Sequence, residues 1–486
     1  MGMRRIGRVI VLLLLVTMAG PPLSGARAAL AAVDDIFLTA RHVLLIDVLH
    51  DEVLYTKAAK ERAYPASLTK IMTSLLILEY VEDGGSLDEI VTATVTSLAN
   101  VSPHGSRIDP NHPLQVGEEM MLLHLLYSII IPSANDSSDV VAEHISGSVE
   151  AFVERMNQRA AELGLEDTHF MNTHGLHDPG HYTTAWDVYR MVKAAMEHPL
   201  YLEICHTETR TIPATNMAPE RILRTTNRMM QQGLYYYPQA IGIKTGFTTP
   251  AGYCLVATAR QGDLQLVSVV MRSEGPRISD LPGAVPHNDT RMNFVDTRLL
   301  MQWGFANFER RVLLPQRDVV SEVAVRMGLD RDYVQLWTAN PIEAIVPKEL
   351  DLNRLKRVIV HDYPDGIDAP VVNGQIMGTL TLHSELCNRE AAGQESEPCT
   401  ADDHCGCVYG TTLLIAAARI ERSRAAYIGE LIQDTARQPW LRHALMGTGG
   451  LIVLYVAYVL ILNRFRRGHK RDGSYRGSKR KHKRRG

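Results

Sequence analysis

Ser67 and Lys70 stand three residues apart in PASLTKIMT, residues 65–73, at the head of an apolar stretch. If that stretch is helical, the two share a face, with β-carbons about 5–6 Å apart. Pro65 suits a first helical turn, so Ser67 would sit beside backbone N–H groups that lack an intrahelical partner, at the positive end of the dipole. A hydroxyl, an amine that can take its proton, and N–H donors for a developing oxyanion are the parts of a nucleophilic serine site. The spacing alone is a cheap match. Ser478-Lys-Arg-Lys481 repeats it inside a basic tail with no apolar periodicity.

Two more stretches raise its weight. Ser133-Ala134-Asn135 follows Pro132 between two helical patterns, and Lys244-Thr245-Gly246 precedes the strand-like GYCLVATAR. Ser-x-x-Lys, Ser-x-Asn and Lys-Thr-Gly, in this chain order, form the set shared by β-lactamases and penicillin-binding proteins. The chain resembles the low-molecular-mass penicillin-binding proteins that act as serine-type D-alanyl-D-alanine carboxypeptidases. Beyond the motifs, AYPASLTKIMTSLLILE, LLYSIIIPSANDSSDVVAEHISGS, EAFVERMNQRAAELGLEDTHFMNTHGLHDPGHYTTAWD and IGIKTGFTTPAGYCLVATA carry the likeness, which spans roughly residues 34–420.

The resemblance implies a catalytic set of Ser67 as nucleophile, Lys70 as its base and Ser133 as proton relay to the leaving D-alanine. It implies a substrate-binding set of Asn135, Lys244, Thr245, Gly246 and Phe247, with Arg291 as a candidate second cation for the terminal carboxylate. The oxyanion hole would be the backbone N–H groups of Ser67 and Phe247. No cofactor and no metal enter this scheme. The expected substrate is a peptidoglycan stem pentapeptide, which loses its terminal D-Ala through a Ser67 acyl-enzyme, and β-lactams are the expected inhibitors. Ala134 and Phe247 depart from the usual residues of the family, and Asn293 falls where an arginine is common. His174 and His181 are at family positions and either hold a loop or serve the site.

These residues need a scaffold. HVLLIDVLHDEVLYTK reads as two strands turning at His50-Asp51, and the Ser67 helix presents Leu75, Leu76, Leu78 and Val81 to a core. MMLLHLLYSIII, Met120 to Ile131, reads as one apolar helix ended by Pro132. GYCLVATARQGDLQLVSVVMR reads as a hairpin about Gly262-Asp263, and VDTRLLMQWGFANFE as a helix. The expected fold is an α/β (α+β) transpeptidase domain of the penicillin-binding and β-lactamase type over residues 34–309. From 310 to 421, short strand-like runs argue for a small β-rich, sandwich-like domain. It carries a Cys-rich insertion at 387–407. Residues 422–440 read as a stalk helix.

The ends speak of export and anchoring. Residues 1–28 have the basic, apolar and small-residue layout of a signal peptide. Residues 444–462 contain no charge over nineteen positions, enough for a transmembrane helix. Residues 463–486 then form a basic tail, placed in the cytoplasm by the positive-inside bias, with the catalytic domain extracytoplasmic on a single-pass cell-membrane protein. Setting aside 1–28 and 464–486 leaves 35 basic and 53 acidic residues, a net charge of −18. So acidic an exported portion excludes a nucleic-acid partner. In that compartment Cys387, Cys399, Cys405 and Cys407 read as two disulfides, with a zinc site joined by His404 as the alternative. The tight ring needed to join Cys405 to Cys407 leaves two pairings open, 387–405 with 399–407 or 387–407 with 399–405. Cys205 and Cys254 read as buried thiols. The competing readings are a β-lactamase and a non-catalytic wall-binding membrane protein.

Overall fold

The computed structural model describes residues 36–99, 101–102, 105–273, 291–384 and 408–468. The signal-peptide region, the four clustered cysteines and most of the basic tail lie outside these residues. The described chain falls into two compact units. One runs up to Pro315 and adds Pro341–Ile359 and Leu380–Thr412; the other comprises Gln316–Asn340, Val360–Thr379 and the chain from Leu413.

The first unit is built on a five-stranded antiparallel sheet of β1 (Ala40–Asp47), β2 (Glu52–Lys57), β3 (Ala240–Thr248), β4 (Gly252–Gln261) and β5 (Leu264–Ser273), in the order β2-β1-β5-β4-β3. The β1–β2 turn falls at residues 48–51 and the β4–β5 turn at Gly262-Asp263, as the sequence patterns require. Consecutive strand residues point to opposite faces, and the core divides accordingly. Leu44, Ile46, Val256, Val267 and Val269 join one cluster, while Val43, Leu45, Leu255, Ala257 and Leu266 join another. Burial on both faces explains why the strands read as continuous apolar runs.

Most helices stand on the first of these faces. They are α1 (Lys70–Glu82), α2 (Leu122–Ile130), α3 (Asn135–Ser146), α4 (Val149–Glu162), α5 (Ala185–Met196) and α6 (Pro199–Cys205), whose buried residues belong to that cluster. Helix α7 (Met292–Asn307) packs the other face through Phe294, Leu300, Met301 and Phe305. The helix expected over Met120–Ile131 is shorter, because Glu119–Met121 pairs as a strand with Ile90–Thr92. A single apolar run serves both elements, which periodicity cannot separate.

Past α7 the chain enters the strand Phe308–Leu314, which pairs antiparallel with Ile342–Pro347. This pairing draws residues 341–359 into the first unit rather than the second. In the second unit Val319–Arg326 pairs with Tyr333–Thr338, which pairs with Val408–Ala416 through Leu414 to Ala416. The β-rich character expected of this region is present. Two helices follow, α8 (Arg424–Arg437) and α9 (Pro439–Gly468). Among the described residues no helix is long and apolar enough to cross a membrane. The described side chains take in only part of the uncharged run at 444–462.

Candidate active site

Ser67 lies in a single 3-10 turn, Ala66–Thr69, that runs directly into α1. Ala66 is held at φ 49, a left-handed conformation unusual for a residue with a side chain. Two neighbours press on this turn. Gly175, at φ +86, comes so close that an added β-carbon would lie 1.8 Å from the Ala66 carbonyl oxygen. Gly246 lies so near that one there would sit 3.1 Å from both the Ser67 nitrogen and the Pro65 oxygen. Strand β3 thus runs alongside the Ser67 backbone, and the glycine of Lys-Thr-Gly is what permits so close an approach without a shift of the turn. Among the described residues β4 is the only strand paired with β3, and no described strand lies on its outer edge.

Lys70 is the first residue of α1 and fully buried. Its Nζ reaches Ser67 Oγ at 3.2 Å, Asn135 Oδ1 at 2.6 Å and the His174 carbonyl oxygen at 2.9 Å. Burial drives the amine well below its ordinary pKa and the Lys244 charge adds to this, while Asp139 and Asp136 oppose it. All three polar contacts are to neutral groups, so the site presents a buried amine poised to lose its proton.

Ser133 and Asn135 come from the α2–α3 connection. Ser133 has φ 64, and its buried Oγ is without a hydrogen-bond partner. It does not cap α3, whose N-cap is Ala134. Asn135 is fixed by its N–H bond to the Ser106 carbonyl at 2.8 Å. Asp136 is structural, accepting from the N–H groups of Ile108 at 3.0 Å and Leu114 at 3.3 Å.

Lys244 follows a register shift in β3 between Ala240 and Ile243. It too is buried, which brings its ammonium down to about 7, with the Cys205 thiol partly opposing the shift. Its Nζ donates to the Thr245 carbonyl at 3.1 Å. Thr245 Oγ1 lies 2.6 Å from Thr226 Oγ1. Lys244, Thr245, Thr226, Asn227 and Cys205 line one small pocket, into which the Asn227 side-chain amide brings an unpartnered buried nitrogen. Phe247 is half-exposed and packs on Tyr253, ring centroids 4.5 Å apart. Arg291 is the residue before α7, its guanidinium 5.9 Å from the Tyr235 ring centre. Asn293 donates to the Cys254 carbonyl at 3.2 Å.

The two histidines bond within their loop and to the Ser67 turn. His181 Nε2 lies 2.8 Å from Thr69 Oγ1 and its Nδ1 accepts from the Met171 N–H at 3.2 Å. Burial lowers His181 to about 4 and His174 to about 3, so both are neutral near pH 7. His174 acts on the site through its backbone carbonyl. Sequence reasoning missed this contact because a carbonyl carries no residue signature. It also passed over Asp139, whose one signal was its place four residues after Asn135 on the motif-bearing face.

The comparisons agree with this geometry. The family model of peptidase S11, D-alanyl-D-alanine carboxypeptidase, matches residues 29–275. The D-alanyl-D-alanine carboxypeptidase DacF of Bacillus subtilis is 35% identical over 346 residues, 71% of this chain and 82% of that protein. DacC of Escherichia coli, a carboxypeptidase of the same description, is 31% identical over 73% of this chain and 82% of its own length. Among solved structures, penicillin binding protein 5 from Haemophilus influenzae superposes with a TM-score of 0.57 at 26% identity, covering 80% of this chain and 100% of that one. A serine on a 3-10 turn, a buried amine against it and the matched family together give one conclusion: the chain belongs to the peptidase S11 family and is a serine-type D-alanyl-D-alanine carboxypeptidase of the low-molecular-mass penicillin-binding class.

Proposed function

We propose that the enzyme removes the terminal D-Ala from peptidoglycan stem pentapeptides through an ester on Ser67, and that β-lactams acylate the same oxygen. The observation that carries this reading is the 3.2 Å contact between Ser67 Oγ and a Lys70 amine that burial drives toward neutrality. In its neutral form Lys70 keeps two N–H bonds, for Asn135 Oδ1 and the His174 carbonyl, and turns its lone pair to the Ser67 hydroxyl. Ser67 Oγ then attacks the carbonyl carbon between the two D-alanines as its proton passes to Lys70 Nζ. The Ser67 and Phe247 N–H groups take the oxyanion. On collapse the C–N bond breaks, and Ser133 Oγ relays a proton to the departing amine. Water hydrolyses the ester.

The substrate's terminal carboxylate belongs beside Lys244 and Thr245, with Arg291 as the further cation. A carboxylate arriving there favours the Lys244 ammonium, so binding charges the group that recognises it. The open edge of β3 takes the substrate backbone as an added strand, with Gly246 at its closest approach. The helix α9 contains the uncharged run 444–462, and most of its large apolar residues from Leu451 to Leu462 are exposed in the isolated chain. We assign this helix to the cell membrane as a single span that follows an exported catalytic unit and leaves a cytoplasmic tail.

One experiment addresses both parts. Membranes from cells producing the full chain are labelled with a fluorescent penicillin, washed at alkaline pH, and digested for mass spectrometry. The expected label is on Ser67, is absent in Ser67→Ala, and stays in the washed pellet; purified protein releases D-alanine from a pentapeptide. Label on another residue overturns the acyl-enzyme, and labelled protein in the wash overturns the span.

A further inference from the structure

The site holds a buried carboxyl group that none of the motifs names. Asp139 lies on α3 four residues after Asn135, so the two side chains share a face, and it is only 2% exposed. Asp139 Oδ1 accepts from Thr173 Oγ1 at 2.5 Å, and Oδ2 stands 3.6 Å from His174 Nε2. On the other side the Thr173 carbonyl accepts from Thr73 Oγ1 of α1 at 2.5 Å. The next carbonyl, that of His174, accepts from Lys70 Nζ. The turn closes through Asn172 Oδ1, which accepts from the Gly175 N–H at 2.6 Å. His174 Nδ1 accepts from the Leu176 N–H at 3.2 Å, which assigns the ring proton to Nε2, toward Asp139.

We propose that Asp139 is a positioning residue for Lys70: it clamps the Thr173–His174 segment whose carbonyl orients the amine, and its negative charge favours the protonated amine. This rests on Lys70 being the base for Ser67. The clamp works by geometry at any pH, whereas the charge works only when Asp139 is ionised. Burial raises Asp139 to about 6 against the opposing effects of the Thr173 hydroxyl and Lys70. The other charged or titratable groups acting on it are Asp136 on α3, Glu150 on α4 and His174 on the loop. His124 and Tyr127 of α2 face Arg210 instead.

Asp139→Asn separates the two effects, since it keeps an oxygen for Thr173 and removes the charge. Without that charge the amine gives up its proton more readily, so the acid limb of penicillin acylation moves to lower pH. The expected displacement is about one pH unit, so that on the acid limb the variant runs several-fold closer to its own plateau than the parent does at the same pH. Asp139→Ala also loses the clamp, and its plateau acylation rate falls by about tenfold or more with penicillin binding little changed. Thermal melts of both variants establish folding; if the alanine variant does not fold, the asparagine profile decides alone. A normalised asparagine profile that superimposes on the parent's overturns the proposal, whatever the change in melting temperature. A parental plateau in a folded alanine variant overturns the clamp. Lys70→Ala is run alongside. If it acylates at the parental rate, the reading of Lys70 has failed and this inference with it. If it is inert while the asparagine profile is unmoved, only the role of Asp139 falls.

Discussion

Arg221 and Lys244 are both buried cations of the first unit, 1% and 2% exposed, yet their surroundings differ in kind. Arg221 has a full set of partners. Its Nη1 and Nη2 donate to the two oxygens of Glu118 at 2.6 and 3.0 Å, and its Nε donates to the His112 carbonyl at 2.8 Å. Thr215 Oγ1 donates to the same carboxylate. Burial pushes Glu118 up, but the bonds from Arg221 and Thr215 outweigh it and hold the carboxyl below its ordinary value. Lys244 donates instead to the neutral Thr245 carbonyl, and burial brings its ammonium down to about 7. The nearby polar atoms are also underserved, with Ser133 Oγ and Asn227 Nδ2 lacking partners. A satisfied buried pair has nothing left to offer a ligand. An underserved one stores an interaction that an incoming carboxylate completes.

The same substitution at the two positions should therefore act with opposite sign. Arg221→Met strands Glu118 as an uncompensated buried charge and should cost about 3–5 kcal/mol. Lys244→Met removes a poorly partnered amine and should raise stability by about 1–3 kcal/mol near neutral pH. The sign follows from linkage. Lys244 has a folded pKa of about 7 against an ordinary 10.5, so the unfolded chain binds more protons between those values. Stability falls as pH drops through that window and levels off below 7, so the gain from Met is full below 7 and fades toward 10.5. Catalysis should move the other way, with kcat/KM for a pentapeptide falling on the order of 10²-fold in Lys244→Met. Chemical denaturation at pH 6.5 and 9.5, with D-alanine release, reads all of these. Lys244→Met less stable than the parent at pH 6.5 breaks the contrast.

The comparison also marks what the sequence carries. The motifs holding Ser67, Lys70, Ser133, Asn135 and Lys244 were legible because they set fixed residue types at fixed spacings, and the structure brings Ser67 and Asn135 into direct contact with Lys70. The alternating strands of the sheet were legible as well. The 3-10 turn at Ser67 was not, because its cause is tertiary: Gly175 and Gly246 close on it from distant segments. Nor was the His174 carbonyl, since every residue has one. Arg221 and Glu118 meet across more than a hundred residues, and nothing local in either stretch announces the pair. Motifs report chemistry, while satisfied burial is written in pairings that a single chain does not display.

The smallest expected effect lies at the far edge of the sheet and tests whether underserved polar burial has consequences away from chemistry. Glu52 of β2 pairs in register with Asp47 of β1, whose buried Oδ1 has no partner while Oδ2 accepts from the backbone and ring of His50 at 3.1 and 2.9 Å. Burial, then the Asp47 charge, pushes the Glu52 carboxyl up to about 8. A folded pKa above the unfolded one means that the native state binds more protons between about 4.5 and 8, so stability falls as pH rises through that range. Glu52→Gln cannot ionise and escapes this loss, while its amide can donate to Asp47 as a protonated Glu52 would. Near pH 8.5 it should be more stable than the parent by about 1 kcal/mol, a rise of roughly 2–4 °C in Tm. Near pH 4.5 the two should melt together, because both then carry a neutral side chain at this position. Acylation of Ser67 should be unchanged at both pH values, since β2 and β3 are opposite edges of the sheet. A melting difference that is constant from pH 4.5 to 8.5 would mean that Glu52 is not the titrating group. A glutamine variant less stable at pH 8.5 would mean that the carboxylate is better served there than its neighbours indicate.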